Sequence, residues 1–177
     1  MNEYFKAVLS PKMTVITYVL CGIVLGLMEF ASVKVVPISP LAGFGIVGAG
    51  FLIIFGTRAF VSNGFRITDD AVVVQRWIKS TSLPLADISE IHVTAPLEVL
   101  RGRLYWRFGD GGFWGAHGVF YNKNIGKFYV YMTDERNVID IISRSGTHVF
   151  LSPSPKEAFV EKLKAALVKK SIEAKVV

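Results

Sequence analysis

Three histidines, a single cysteine and a run of arginines interleaved with aromatic rings are the residues in this 177-residue chain whose types and spacing bear on chemistry. Histidine works as a metal ligand or proton carrier when a second ligand stands three or four residues away on a helix, or when a carboxylate orients its ring. His92, His117 and His148 each stand alone within or beside a short β-type run, with no such partner and no neighbouring carboxylate in the sequence. They read as surface or half-buried strand residues; an acid–base site would need a convergent pair such as His117 with Asp110. Cys21 is the lone cysteine, which excludes an intramolecular disulfide and a cysteine-rich metal site. Gly126-Lys127 lacks the upstream glycine of a phosphate-binding loop, because position 121 is tyrosine. The sequence therefore implies no catalytic residues, no cofactor and no metal.

The segment from Pro96 to Gly118 is the most unusual. Arg101, Arg103 and Arg107 alternate with Leu104, Tyr105, Trp106 and Phe108, and glycines then surround Phe113 and Trp114. Read as a loop of about twenty residues, it is long enough to be functional. Arginine, tyrosine and tryptophan suit a lipid headgroup layer, where guanidinium groups meet phosphates and rings lie at interfacial depth. Arg101, Arg103, Tyr105, Trp106, Arg107, Phe113 and Trp114 are thus the candidate contacts with membrane or partner. The competing reading has Trp106, Phe113 and Trp114 closing one end of the soluble domain.

Two apolar runs must position that segment. Between Met13 and Thr57 the only charged side chains are Glu29 and Lys34. About 20 apolar residues in a helix cross a bilayer core, and two runs qualify: helices are expected at about 13–33 and 40–60, with Pro37 and Pro40 at the turn. A cleaved signal peptide fits less well, because a second span follows the first at once. Lys6, Lys12, Arg58 and Arg66 flank the pair against Lys34 alone in the turn, which places both termini in the cytoplasm. Gly22 with Gly26, and Gly45 with Ala49, have the spacing that lets helices approach closely; packing of the two helices on each other is favoured over homo-oligomer formation. Glu29 is expected at the interface near Lys34.

From residue 63 to 177 the pattern becomes that of a domain outside the bilayer. The residues from Gly64 onward carry 16 basic and 12 acidic side chains, a surplus that suits an anionic membrane surface and is too dispersed for nucleic acid. Seven antiparallel strands are expected: Phe65–Thr68, Ala71–Ile78, a kinked strand spanning Leu83–Leu85 and Ile88–Val93, then Val119–Tyr121, Phe128–Thr133, Val138–Ser143 and His148–Leu151. Ser154-Pro155-Lys156-Glu157 reads as a capping box opening a helix over 155–169, with Phe159, Val160, Leu163, Ala166 and Leu167 on its apolar face.

Seven strands and one capping helix, FRITDD at Phe65–Asp70, the glycine-rich stretch at Gly109–Gly118, Gly126-Lys127-Phe128 leading into Tyr131-Met132-Thr133, and Leu151-Ser152-Pro153 before Phe159 together resemble the bacterial PH domain family, in particular its membrane-anchored members. The resemblance implies a PH-like β-barrel with a C-terminal helix, carried on a membrane α-helical hairpin (residues 1–62), in a bacterial plasma membrane. It implies no reaction. The expected function is a non-catalytic binding or scaffolding module that contacts the lipid bilayer and its anionic headgroups or another membrane protein. The alternatives are an accessory subunit of a larger membrane complex and, least favoured, an enzyme whose site the sequence does not reveal.

Overall fold

The computed structural model describes residues 2–93, 113–123 and 125–176, and the backbone of 104–110. The chain enters a sheet before it reaches the apolar runs. Strand β1 (Glu3–Ala7) buries Phe5 and pairs antiparallel with β2 (Gly64–Ile67) and with β11 (Pro153–Ser154). Between these neighbouring strands, β1 and β2, the two helices are inserted. Ser10 caps α1 (Pro11–Val35) by accepting from the Met13 amide, and Ser39 caps α2 (Pro40–Arg58) through the Ala42 amide. In both, proline follows the cap, where its missing N–H costs nothing. Each helix is long and apolar enough to cross a membrane.

The helices touch through glycines other than those expected. A Cβ on Gly43 would strike Val36, and one on Gly50 would lie 2.9 Å from Met28 Cγ, whereas Gly22, Gly26 and Gly45 face open space. Spacing alone misplaced this contact, because the tight turn at Val36–Ser39 sets which face of α2 meets α1. Ser32 donates to the Gly43 carbonyl at 2.9 Å across the pair. Lys34 lies over the Phe30 ring at 4.4 Å, and Glu29 is exposed one turn away.

The β part is two sheets that do not close into a barrel, and it has more than seven strands. The five-stranded sheet runs β11-β1-β2-β3-β4 and the seven-stranded sheet β12-β5-β9-β10-β8-β7-β6. The added strands are β1, lying before the helices; β6 (Leu104–Asp110); and the two-residue β11 and β12 (Lys175–Val176). The expected kinked strand is two strands, β4 (Thr81–Pro84) and β5 (Ile88–His92). A 3-10 turn at Leu85–Asp87 carries the chain between the sheets. β3 (Ala71–Gln75) stops short of Ile78. Not every pairing is antiparallel: β8 (Gly126–Met132) runs parallel to β10 (His148–Leu151), as β5 does to β12. Between them, β9 (Ile139–Ser143) pairs antiparallel with β5 and β10, and β7 (Ala116–Asn122) joins β6 to β8.

The third helix, α3 (Lys156–Lys169), buries the five expected apolar residues over the five-stranded sheet and β9, with Phe159 edge-on to Phe5 at 5.1 Å. Its cap is Pro155 with no side-chain bond, so the capping box does not form. Ser154 is instead held in the sheet opposite Lys6, which fixes its backbone before the helix begins.

Candidate functional site

The segment expected to be a loop is in part β structure. Tyr105, Trp106 and Arg107 lie on β6, whose backbone pairs with β7 in the register Trp106 with Tyr121 and Arg107 with Phe120. Leucine, tyrosine and tryptophan favour a pleated strand, a signal outweighed in the sequence by the arginines and glycines around them. Arg101 and Arg103 lie outside the described residues, as do the side chains of Tyr105, Trp106 and Arg107. The β6–β7 register sets Asp110 opposite His117.

Phe113 and Trp114 sit in the β6–β7 turn, which reaches the base of the helices. The Trp114 backbone is left-handed (φ 63°) and Gly115 follows at φ 121°. The second position accepts no side chain, since a Cβ on Gly115 would collide with the Met132 carbonyl. This shape lets the Trp114 amide donate to Thr17 Oγ1 at 3.0 Å, in the second turn of α1, and Thr17 is fully buried beneath it. The N-terminus of α1 is tied down by the β8–β9 turn: the Ser10 amide donates to the Thr133 carbonyl at 3.0 Å and Lys12 pairs with Glu135 at 2.8 Å. That turn is itself braced. Ser152 Oγ accepts from the Thr133 amide at 2.8 Å, and Asp134 takes Nε and Nη2 of Arg136 at 3.0 and 2.9 Å.

Arg58, the last residue of α2, closes the junction from the other side. Its guanidinium lies 5.4 Å from the Trp77 ring and 5.7 Å from that of Trp114, and Nη1 donates to Asn63 Oδ1 at 3.0 Å. Such cation–ring contacts contribute about 0.5–2 kcal/mol each, more where water is excluded. Asn63 is the hub of this corner. Its carbonyl accepts from the Ala7 amide and the Tyr4 hydroxyl, and its amide donates to Gln75. A cavity of about 200 Å³ lies between these elements, lined by Leu9, Arg58, Val61, Trp114 and Thr133 among others. In the sequence Arg58 is legible only as a topological flank, and Trp77 falls inside an expected strand. The pairing of Gly64 with Gln75 brings residue 76 back beside α2, and no local pattern signals it.

The histidines are not the isolated residues expected. His148 Nδ1 lies 2.7 Å from Asp140 Oδ2 and His92 Nε2 lies 3.0 Å from Glu90 Oε2. The first pair joins adjacent strands, β9 and β10, and the second is two residues apart on one strand, where side chains share a face. Burial pushes the Asp140 carboxyl above its usual range, against the opposing pull of His148. His117 is buried beside Trp114, whose carbonyl lies 3.2 Å from Nε2. Burial lowers its pKa to about 4, against the bond to Trp114, with Arg58 and Arg76 adding to the fall. Among the described residues no three His, Cys, Asp or Glu side chains converge as a metal site would require.

A second concavity, about 270 Å³, opens between β4 and strands β8 and β10, lined by Val72, Val74, Leu83, Tyr129, Tyr131 and Leu151 among others. At its rim Arg76 donates to Thr81 at 2.7 Å and lies over the Tyr131 ring. Its described lining is mostly apolar, with the hydroxyls of Thr81, Ser82, Tyr129 and Tyr131 among it, so it is built to accept a largely apolar group beside a few polar ones.

No curated protein and no solved structure matches the chain. A family model described as the bacterial PH domain matches residues 63–167, from Asn63 at the corner of the junction to Leu167 near the end of α3. That stretch takes in strands β2 to β11, most of the buried core and most of the covering helix, and on it the chain belongs to the bacterial PH domain family.

Proposed function

We propose that this chain is an integral membrane protein in which a non-catalytic PH domain is clamped to the mouth of a two-helix hairpin and serves as a binding module at the cytoplasmic face of a bacterial plasma membrane. The observation that carries this reading is the insertion of α1 and α2 between neighbouring strands of one sheet, secured by Thr17–Trp114 on one helix and Arg58 on the other. Counting from Tyr18, above the Thr17 contact, α1 spans about 27 Å, and α2 about 28 Å, at 1.5 Å per residue. Both lengths fit a bilayer core of about 30 Å. Trp77 and Trp114 then fall at the height of one headgroup layer, the depth that tryptophan favours. The basic flanks select the cytoplasmic side. The family is one of binding domains in general, and the largely apolar cleft beside β4 suits a ligand.

The test is extraction of the full-length chain from bacterial membranes. Retention in the membrane through alkaline carbonate, with release only by detergent, is the expected result. Release by carbonate or salt would make the chain peripheral and remove the reading. A second reading, an accessory subunit of a larger membrane assembly, is favoured by Gly22, Gly26 and Gly45, whose open faces are free for a helix of another protein. A single partner co-purifying in fixed ratio, and lost on Gly22→Leu, is the result that would prefer it.

A further inference from the structure

We propose that the tip of the β3–β4 hairpin, Trp77-Ile78-Lys79, is a lipid-contact site that inserts into anionic headgroups beside the helical hairpin. The proposal rests on the membrane-anchored reading above and adds to it a second point of contact, distant in sequence from the arginine-rich segment. Trp77 and Ile78 are 67% and 68% exposed, an adjacent pair of large apolar side chains on a turn, although both residue types are usually well buried. Lys79 and Ser80 beside them are exposed as well, and Phe60, two residues beyond α2, is 54% exposed.

The topology places this tip at the bilayer. β2 leaves the helix base at Gly64 and runs away from it; the turn at Thr68–Ala71 reverses the chain, and β3 returns so that Gln75 lies opposite Gly64. The tip that follows therefore stands at the level of α2's last residue. The contact of the Arg58 guanidinium with the Trp77 ring fixes that height directly. Phe60 adds a further exposed ring two residues past the end of α2, and Lys79 carries positive charge where an anionic headgroup would lie. An indole and a branched alkyl group at headgroup depth, beside an ammonium, are the composition of an interfacial anchor. The other end of the hairpin, by contrast, carries Asp69 and Asp70, paired with Lys169 and Lys170 of α3 and its end.

The test uses the full chain with Cys21→Ser and one new cysteine carrying a nitroxide, reconstituted in phosphatidylcholine vesicles with or without phosphatidylglycerol. Depth is read by power saturation against oxygen and a water-soluble nickel chelate. Labels at Ile78→Cys, Leu27→Cys on α1 and Ser145→Cys on the β9–β10 turn are compared. The expected result is a Leu27 label in the bilayer core, a Ser145 label in water, and an Ile78 label protected from nickel several-fold relative to Ser145. The Ile78 protection should increase with phosphatidylglycerol and fall when Trp77→Ala or Lys79→Gln is added. An Ile78 label as open to nickel as Ser145, with Leu27 still in the core, overturns the proposal and leaves the anchored reading standing. A Leu27 label in water overturns both.

Discussion

His117 and Arg58 meet at Trp114, and each makes a separate prediction. His117 is neutral in the folded chain because its pKa falls from 6.5 to about 4. Below pH 6.5 the unfolded chain takes up a proton that the folded one refuses. Stability from this group is therefore present above pH 6.5 and lost as pH falls toward 4. The loss is bounded at about 3 kcal/mol, since a tenfold change in proton affinity is worth about 1.4 kcal/mol. Thermal unfolding of the full chain in detergent between pH 4 and 7 should show a pH-dependent fall that His117→Gln flattens; an unchanged slope in the variant would remove His117 as its source. Arg58→Ala removes two ring contacts and the bond to Asn63, and should cost about 1–3 kcal/mol. Lys164→Ala, exposed on α3, serves as the comparison in the same melts, and equal effects would show that the Arg58 stack contributes nothing special. Neither role was legible in the sequence. His117 stands alone there, and its burial follows from the β6–β7 turn folding over it, while Arg58 and its two tryptophans are 19 and 56 residues apart and meet only through strand register.

Among elements, α3 was the most legible, because a 3.6-residue period depends on the helix alone and needs no partner to be seen. Its five buried residues are the five on the predicted face. Phe159→Ala, which empties a fully buried site against Phe5 and Phe65, should destabilise the chain by about 3–5 kcal/mol. Lys162→Ala removes a partly exposed 3.4 Å pair with Glu3 and should cost less than about 1 kcal/mol. Comparable denaturation midpoints for the two variants would contradict the packing of α3. Strands were less legible, since a strand is defined by what it pairs with. EYFKA at the N-terminus has only five residues and its partners lie about 60 and 150 residues away, so β1 read as a flank of the first helix. The capping box at Ser154 failed for the same reason: pairing with β1 claimed that residue first.

At the scale of the whole molecule, β1 joins the apolar helices and the PH domain into one folding unit. A fragment beginning at Asn63 would lack β1 and leave the facing edges of β2 and β11 unpaired, so it should melt well below the full chain; equal Tm values would make β1 dispensable. Composition made the helices and their length visible from sequence. Their insertion between adjacent strands was not visible, and it is that arrangement which requires both ends of the hairpin to emerge on one side. The most direct measurement is therefore site-directed labelling of intact cells with a membrane-impermeant maleimide, using the Cys21→Ser chain with a single cysteine in place of Ile38, in the turn between the helices, or of Ser145, on the PH domain. Labelling of the Ile38 position in intact cells, with the Ser145 position reacting only after permeabilisation, is the expected result. The reverse pattern would place the PH domain outside, and labelling of both positions only after permeabilisation would show that the hairpin does not cross the membrane.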